Sequence, residues 1–167
     1  MVRSYGQTKT YRVFKETEYV NGSFYRALYD TIKKVENKRI DIYFLKDVFY
    51  SPYYLPAKFL DTNFRSKTVS IWRFPERKKD LHSNWENTYV YDSLGRVTNY
   101  GYSGCFICSQ IPYRYVVSYD SSGRVVEIKE IFNGMENYRF HYSDDGDIIQ
   151  FDKYLVGKLE TRIILIK

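Results

Sequence analysis

One seven-residue pattern is written three times in the second half of this chain. It reads Tyr91-Asp92-Ser93-Leu94-Gly95-Arg96-Val97, then Tyr119-Asp120-Ser121-Ser122-Gly123-Arg124-Val125, then Tyr142-Ser143-Asp144-Asp145-Gly146-Asp147-Ile148. Each copy has the chemistry of a β-hairpin bend. An Asp that opens a type I turn accepts hydrogen bonds from backbone amides within it. The glycine three residues on takes the left-handed conformation that side chains resist. A type I turn closed by such a glycine is a three-residue loop with a bulge, whose twist suits antiparallel strands. Pairing outward sets Asp92 against Arg96, Tyr91 against Val97, Asp120 against Arg124, Tyr119 against Val125 and Tyr142 against Ile148. Asp92, Gly95, Asp120, Gly123 and Gly146 are therefore expected to be structural turn residues.

The third copy departs from the other two. Ser143 stands for the turn Asp and Asp147 for the Arg, so the charge pair at the neck is lost. Spacing is uneven as well: 28 residues separate Gly95 from Gly123, and 23 separate Gly123 from Gly146. A strict solenoid holds its period. Unequal spacing suits hairpins joined by connectors of different length.

Tyr-Asp-x-x-Gly-Arg-Val resembles the YD repeat of the Rhs and teneurin proteins and of many secreted proteins of Bacteroidetes-type bacteria. The likeness covers roughly residues 89–151. It implies β-hairpins that build a spiralling sheet, with three copies too few for a closed shell. It also implies a scaffold or binding role, and carries no catalytic residue to transfer.

At 167 residues the chain fits one domain, 1–167, with the YD-like hairpins inside it. Its 19 Tyr and 11 Phe favour strands and amphipathic sheet faces. The expected fold is all-β: an antiparallel meander of hairpins, as an open twisted sheet, a partial barrel or two layers. Charge is lopsided. Residues 1–88 hold 17 Lys and Arg against 10 Asp and Glu, while residues 89–167 hold 9 against 10. A basic half suits an acidic glycan, nucleic acid or acidic protein. A solvated surface explains it as simply, and no nucleic-acid motif is present.

Before the repeats, residues 11–20 read as a strand and Asn21-Gly22 as a two-residue hairpin signal. Phe24, Leu28, Ile32 and Val35 also fall at helical spacing, with Ser23 and Asn37 at the ends, so a helix over 23–36 competes. Residues 39–45 alternate and read as a strand. Ser51-Pro52 and Leu55-Pro56 make a Tyr/Pro-rich loop near 46–66, whose Tyr53 and Tyr54 suit a binding surface or a flap over the core. Residues 68–74 read as a strand. Trp72, Arg73, Arg77, Lys78, Lys79 and Trp85 make a basic, aromatic group of the kind that binds single-stranded nucleic acid or acidic sugar. An ordinary charged hairpin tip has the same composition. Residues 151–156 and 159–166 read as a last hairpin turning at Gly157-Lys158.

Cys105 and Cys108 form a C-x-x-C. Redox enzymes place that motif at a helix N-terminus, which lowers the first thiol's pKa. Here it sits between two hairpin bends, which points to a local disulfide or free thiols ahead of a thiol-redox enzyme. His82 and His141 have no metal-ligand spacing. Asp144, Asp145 and Asp147 suit weak Ca²⁺ binding, and the turn role explains them more simply. A phosphate loop, nucleophile elbow and His-Glu-x-x-His are absent, while a paired-carboxylate glycosidase stays open on sequence. The reading is a non-enzymatic binding or scaffold module without cofactor or metal. Its expected partner is a protein or glycan, with nucleic acid the less favoured alternative. There is no apolar run of bilayer length and no visible signal peptide. Either a cytoplasmic chain or one trimmed of its leader for the bacterial surface or envelope fits.

Overall fold

The computed structural model describes residues 8–18, 21–35, 39–49, 86–103 and 112–167. These form nine strands and one helix. The strands are β1 (Thr8–Glu18), β2 (Phe24–Val35), β3 (Glu86–Tyr91), β4 (Val97–Ser103) and β5 (Tyr113–Tyr119). Then come β6 (Val125–Glu130), β7 (Glu136–Tyr142), β8 (Ile148–Leu155) and β9 (Lys158–Ile166). The helix α1 spans Ile42–Phe49. The strands make an open antiparallel sheet, so the all-β meander expected from the repeats is the fold observed.

The described residues fall into two compact units. One holds β1, β2, α1 and residues 138–167, with strand order β2-β1-β9-β8-β7. The other holds β3 to β6 in sequence order. Chain order is broken at one place: β1 pairs with β9, Val13 opposite Leu165 and Thr17 opposite Thr161.

All three bends adopt the anticipated geometry. Gly95, Gly123 and Gly146 have φ of 74, 77 and 82°. The amides of Asp92, Asp120 and Ser143 donate to the carbonyls of Arg96, Arg124 and Asp147 at 2.9, 2.9 and 2.8 Å. Tyr91 pairs with Val97 and Tyr119 with Val125, and each register then slips by one residue. The same positions are buried in every copy. Tyr89, Val117 and Phe140 precede the motif tyrosine by two residues. Val97, Val125 and Ile148 follow the bend, and Tyr100, Ile128 and Phe151 lie three further on. All nine are buried. The uneven spacing arises mainly between hairpins: residues 104–112 separate β4 from β5, whereas residues 131–135 separate β6 from β7.

The contest over 23–36 resolves as a strand, β2. Asn21 Oδ1 accepts from the Ser23 amide at 3.1 Å, and Gly22 has φ of 80°. The outermost described pair is Glu18 with Phe24, and residues 19 and 20, which lead into the expected Asn21-Gly22 turn, lie outside the described residues. Residues 39–45 are a correction: α1 begins at Ile42. Asp41 caps it, its Oδ1 accepting the Phe44 amide at 2.9 Å and its carbonyl the Leu45 amide at 3.0 Å. The spacing of Ile42 and Leu45, both buried, is helical. The expected Tyr/Pro-rich loop near 46–66 is corrected over its first residues, 46–49, which belong to α1. Residues 50–66 and the expected strand at 68–74 lie outside the described residues. The last hairpin is also shifted. Leu155 pairs with Lys158, so Val156-Gly157 is its loop rather than Gly157-Lys158. Val156 and Gly157 have φ of 49 and 77°, the signs a type I′ turn requires.

Candidate functional site

Around the first two bends the motif side chains are engaged with one another. Asp92 Oδ1 accepts the amides of Leu94 and Arg96 at 3.0 and 2.9 Å, and its Oδ2 accepts Arg96 Nε at 2.7 Å. Asp120 repeats this with Ser122 and Arg124 at 3.0, 2.9 and 2.7 Å. Hydrogen bonding from the Arg96 and Arg124 amides leads in holding these carboxyls below their ordinary range. Arg96 also reaches the next copy. Its guanidinium lies 4.5 Å from the centre of the Tyr119 ring, and Tyr119 Oη donates to the Val97 carbonyl at 2.9 Å. Asp92, Arg96 and Tyr119 thus form one interlock running from the first bend to the second.

A tyrosine ladder crosses β3, β4 and β5. Tyr89 stands opposite Tyr100, and Tyr100 opposite Tyr115, with near-parallel rings 6.5 and 5.2 Å apart. Tyr102 and Tyr113 make a second rung at 6.1 Å. Tyr115 Oη donates to Glu136 at 2.8 Å. Burial, followed by the Glu136 charge, pushes the Tyr115 phenol well above its ordinary value, so it remains a proton donor. Opposite Tyr115 on β6 is Glu130, itself buried.

The third bend is rewired. Ser143 Oγ accepts the Asp147 amide at 3.2 Å, doing for the backbone what Asp92 and Asp120 do in their copies. Asp147 is buried, and both its oxygens take Lys34 Nζ, with Oδ1 at 2.7 Å. It also accepts the Ile40 amide at 2.8 Å and Tyr11 Oη at 3.3 Å. Burial pushes this carboxyl up, but the Lys34 and Ile40 hydrogen bonds and the Lys34 charge outweigh it, and the net shift is downward. Explaining Asp147 by its turn alone is therefore corrected: it fastens β1, β2 and the lead-in to α1 onto the third hairpin. Among the described residues no group of His, Cys, Asp and Glu is arranged to hold a metal ion.

On the opposite face of this unit from Phe151 and Ile163, charges alternate in sign across four strands. Arg26 pairs with Glu16 at 2.7 Å, Glu16 stands opposite Arg162, and Arg162 grips Asp152 at 2.7 and 3.0 Å. His141 Nε2 lies 3.4 Å from the same carboxylate.

Asp92, Gly95, Asp120, Gly123 and Gly146 thus sit at hairpin corners, where the sequence places them. Tyr53, Tyr54, Trp72, Arg73, Arg77, Lys78, Lys79, Trp85, Cys105 and Cys108 lie outside the described residues. Sequence reasoning missed the Lys34–Asp147–Tyr11 cluster and the buried Glu130. An acid at the motif's arginine position was the signal for the first. No family model matches this chain, and no curated protein or solved structure matches it either.

Proposed function

We propose that this chain is a non-enzymatic binding or scaffold module of the YD-repeat type, working at the bacterial surface or in the envelope with a protein or glycan as partner. One observation carries the reading. Asp92 holds Arg96, Arg96 lies over Tyr119, and Tyr119 bonds the Val97 carbonyl. Side chains committed to joining one hairpin to the next are what a scaffold needs from its repeat.

Binding of the purified full chain to bacterial cell-wall glycans and surface proteins tests the proposal by calorimetry across a salt series. Salt-resistant binding is the expected result. Steeply salt-dependent retention on heparin or single-stranded DNA, the mark of phosphate contacts, would favour nucleic acid instead. Thiol–disulfide turnover abolished by Cys105→Ser would make the protein an enzyme and overturn the proposal.

A further inference from the structure

The connection between β6 and β7 is an apolar tip on a fixed frame. It consists of Ile131, Phe132, Asn133, Gly134 and Met135, and its three large apolar side chains are all exposed, Phe132 at 62%. Loops of this length are usually polar. The frame beneath them is Glu130, only 4% exposed. Glu130 Oε1 accepts the Phe132 amide at 2.8 Å, and Oε2 accepts the Asn133 and Met135 amides at 2.9 and 3.3 Å. The Ile131 amide donates to the Arg114 carbonyl at 2.7 Å, and Gly134 turns the chain at φ of 64°.

Two consequences follow. Four of the tip's five backbone amides, those of Ile131, Phe132, Asn133 and Met135, are satisfied from inside, which lowers the penalty for moving a loop into an apolar medium. Its Ile131, Phe132 and Met135 side chains are also exposed. On β6 and on its neighbour β5, whose Arg114 carbonyl takes the Ile131 amide, the charged residues that are exposed are both cations, Arg114 and Lys129. The acids nearby are engaged: Glu130 on the loop amides, Glu136 on the Tyr115 hydroxyl. Exposed apolar side chains beside two exposed cations match an anionic bilayer surface, where acyl chains take the one and phosphate headgroups attract the other.

We propose that the Ile131–Phe132–Met135 tip inserts into the interface of an anionic phospholipid bilayer, guided by Arg114 and Lys129. This goes beyond the scaffold reading, which stands or falls separately.

Co-sedimentation of the full chain with phosphatidylglycerol-containing vesicles, against phosphatidylcholine alone, tests it. Wild type is expected to bind the anionic vesicles and to release at high salt. The doubly substituted Phe132→Ser, Met135→Ser chain should bind at least about tenfold more weakly. Lys129→Gln should weaken binding about fivefold, the equivalent of one interfacial cation. These side chains are exposed, so an unchanged thermal midpoint checks the fold. No binding to anionic vesicles, equal binding to neutral ones, or undiminished binding by the double variant would each overturn the proposal. So would self-association that the double variant abolishes, which would assign the tip to a second copy.

Discussion

Asp147 marks where the repeat stops being only a repeat. In the first two copies its position holds arginine, which clamps its own turn. Here an inward-facing acid meets Lys34, 113 positions earlier in the chain. Breaking a buried pair from one side strands a charge, which costs about 3–5 kcal/mol. Asp147→Asn should therefore lower urea stability by an amount in that range. The double variant Lys34→Met, Asp147→Leu should lose less than either single variant, because no unpaired charge remains. A double-variant loss equal to the sum of the two single losses would show that the pair contributes nothing as a pair. The same carboxyl sets a pH dependence. Its folded pKa is depressed, so its stabilisation is present above the unfolded value, roughly pH 4, and is lost as pH falls through the folded one. Asp92 and Asp120 act in the same direction. Acid titration followed by circular dichroism should show stability falling below about pH 4, less steeply in Asp147→Asn. A slope unchanged by the substitution would contradict the assignment.

Hairpins and their corners were legible because their chemistry is local. Glycine three residues after Asp or Ser names the bend, and counting outward names the buried positions. Val156 shows the limit of that reading. A β-branched residue at φ of 49° is rare, and the Val156-Gly157 loop was misplaced for want of an Asn or Gly there. Val156→Asn should remove strain and raise the thermal midpoint, by about 1 kcal/mol of stability; a fall would refute the strain. The strand expected at 39–45 was misled by the alternation of Ile40, Ile42 and Phe44, although Asp41 as a cap and Ile42 with Leu45 one turn apart carried the helical signal. Gly101 has its own reason. A Cβ there would sit 2.7 Å from the Tyr113 carbonyl oxygen, a backbone atom of the paired strand. Gly101→Ala should destabilise the tyrosine ladder, detectable as faster amide exchange in β4 and β5. On β2, at one end of the sheet, the bulge after Leu28 and the exposed Arg26 and Lys33 discourage pairing with another chain.

At the scale of the whole molecule, the all-β class followed from composition and repeated bends, whereas the β1–β9 pairing did not. Strands 150 residues apart carry no local mark of their partnership, and the cross-strand charges that accompany it, Glu16 opposite Arg162, become visible only in register. The interlock of Asp92, Arg96, Tyr119 and Val97 is the joint by which one hairpin is set on the next. A double-mutant cycle on Arg96→Ala and Tyr119→Leu should give a coupling of about 0.5–1 kcal/mol, the range for a cation over an exposed ring. Additive losses would mean that the bends fold independently.

Scalar couplings across hydrogen bonds, read by NMR on the full chain, reach the repeated bend itself. Three should appear: from the amides of Asp92, Asp120 and Ser143 to the carbonyls of Arg96, Arg124 and Asp147. If they are missing while sequential amide–amide contacts run through Gly95, Gly123 or Gly146 as in a helix, hairpin bends do not shape this protein.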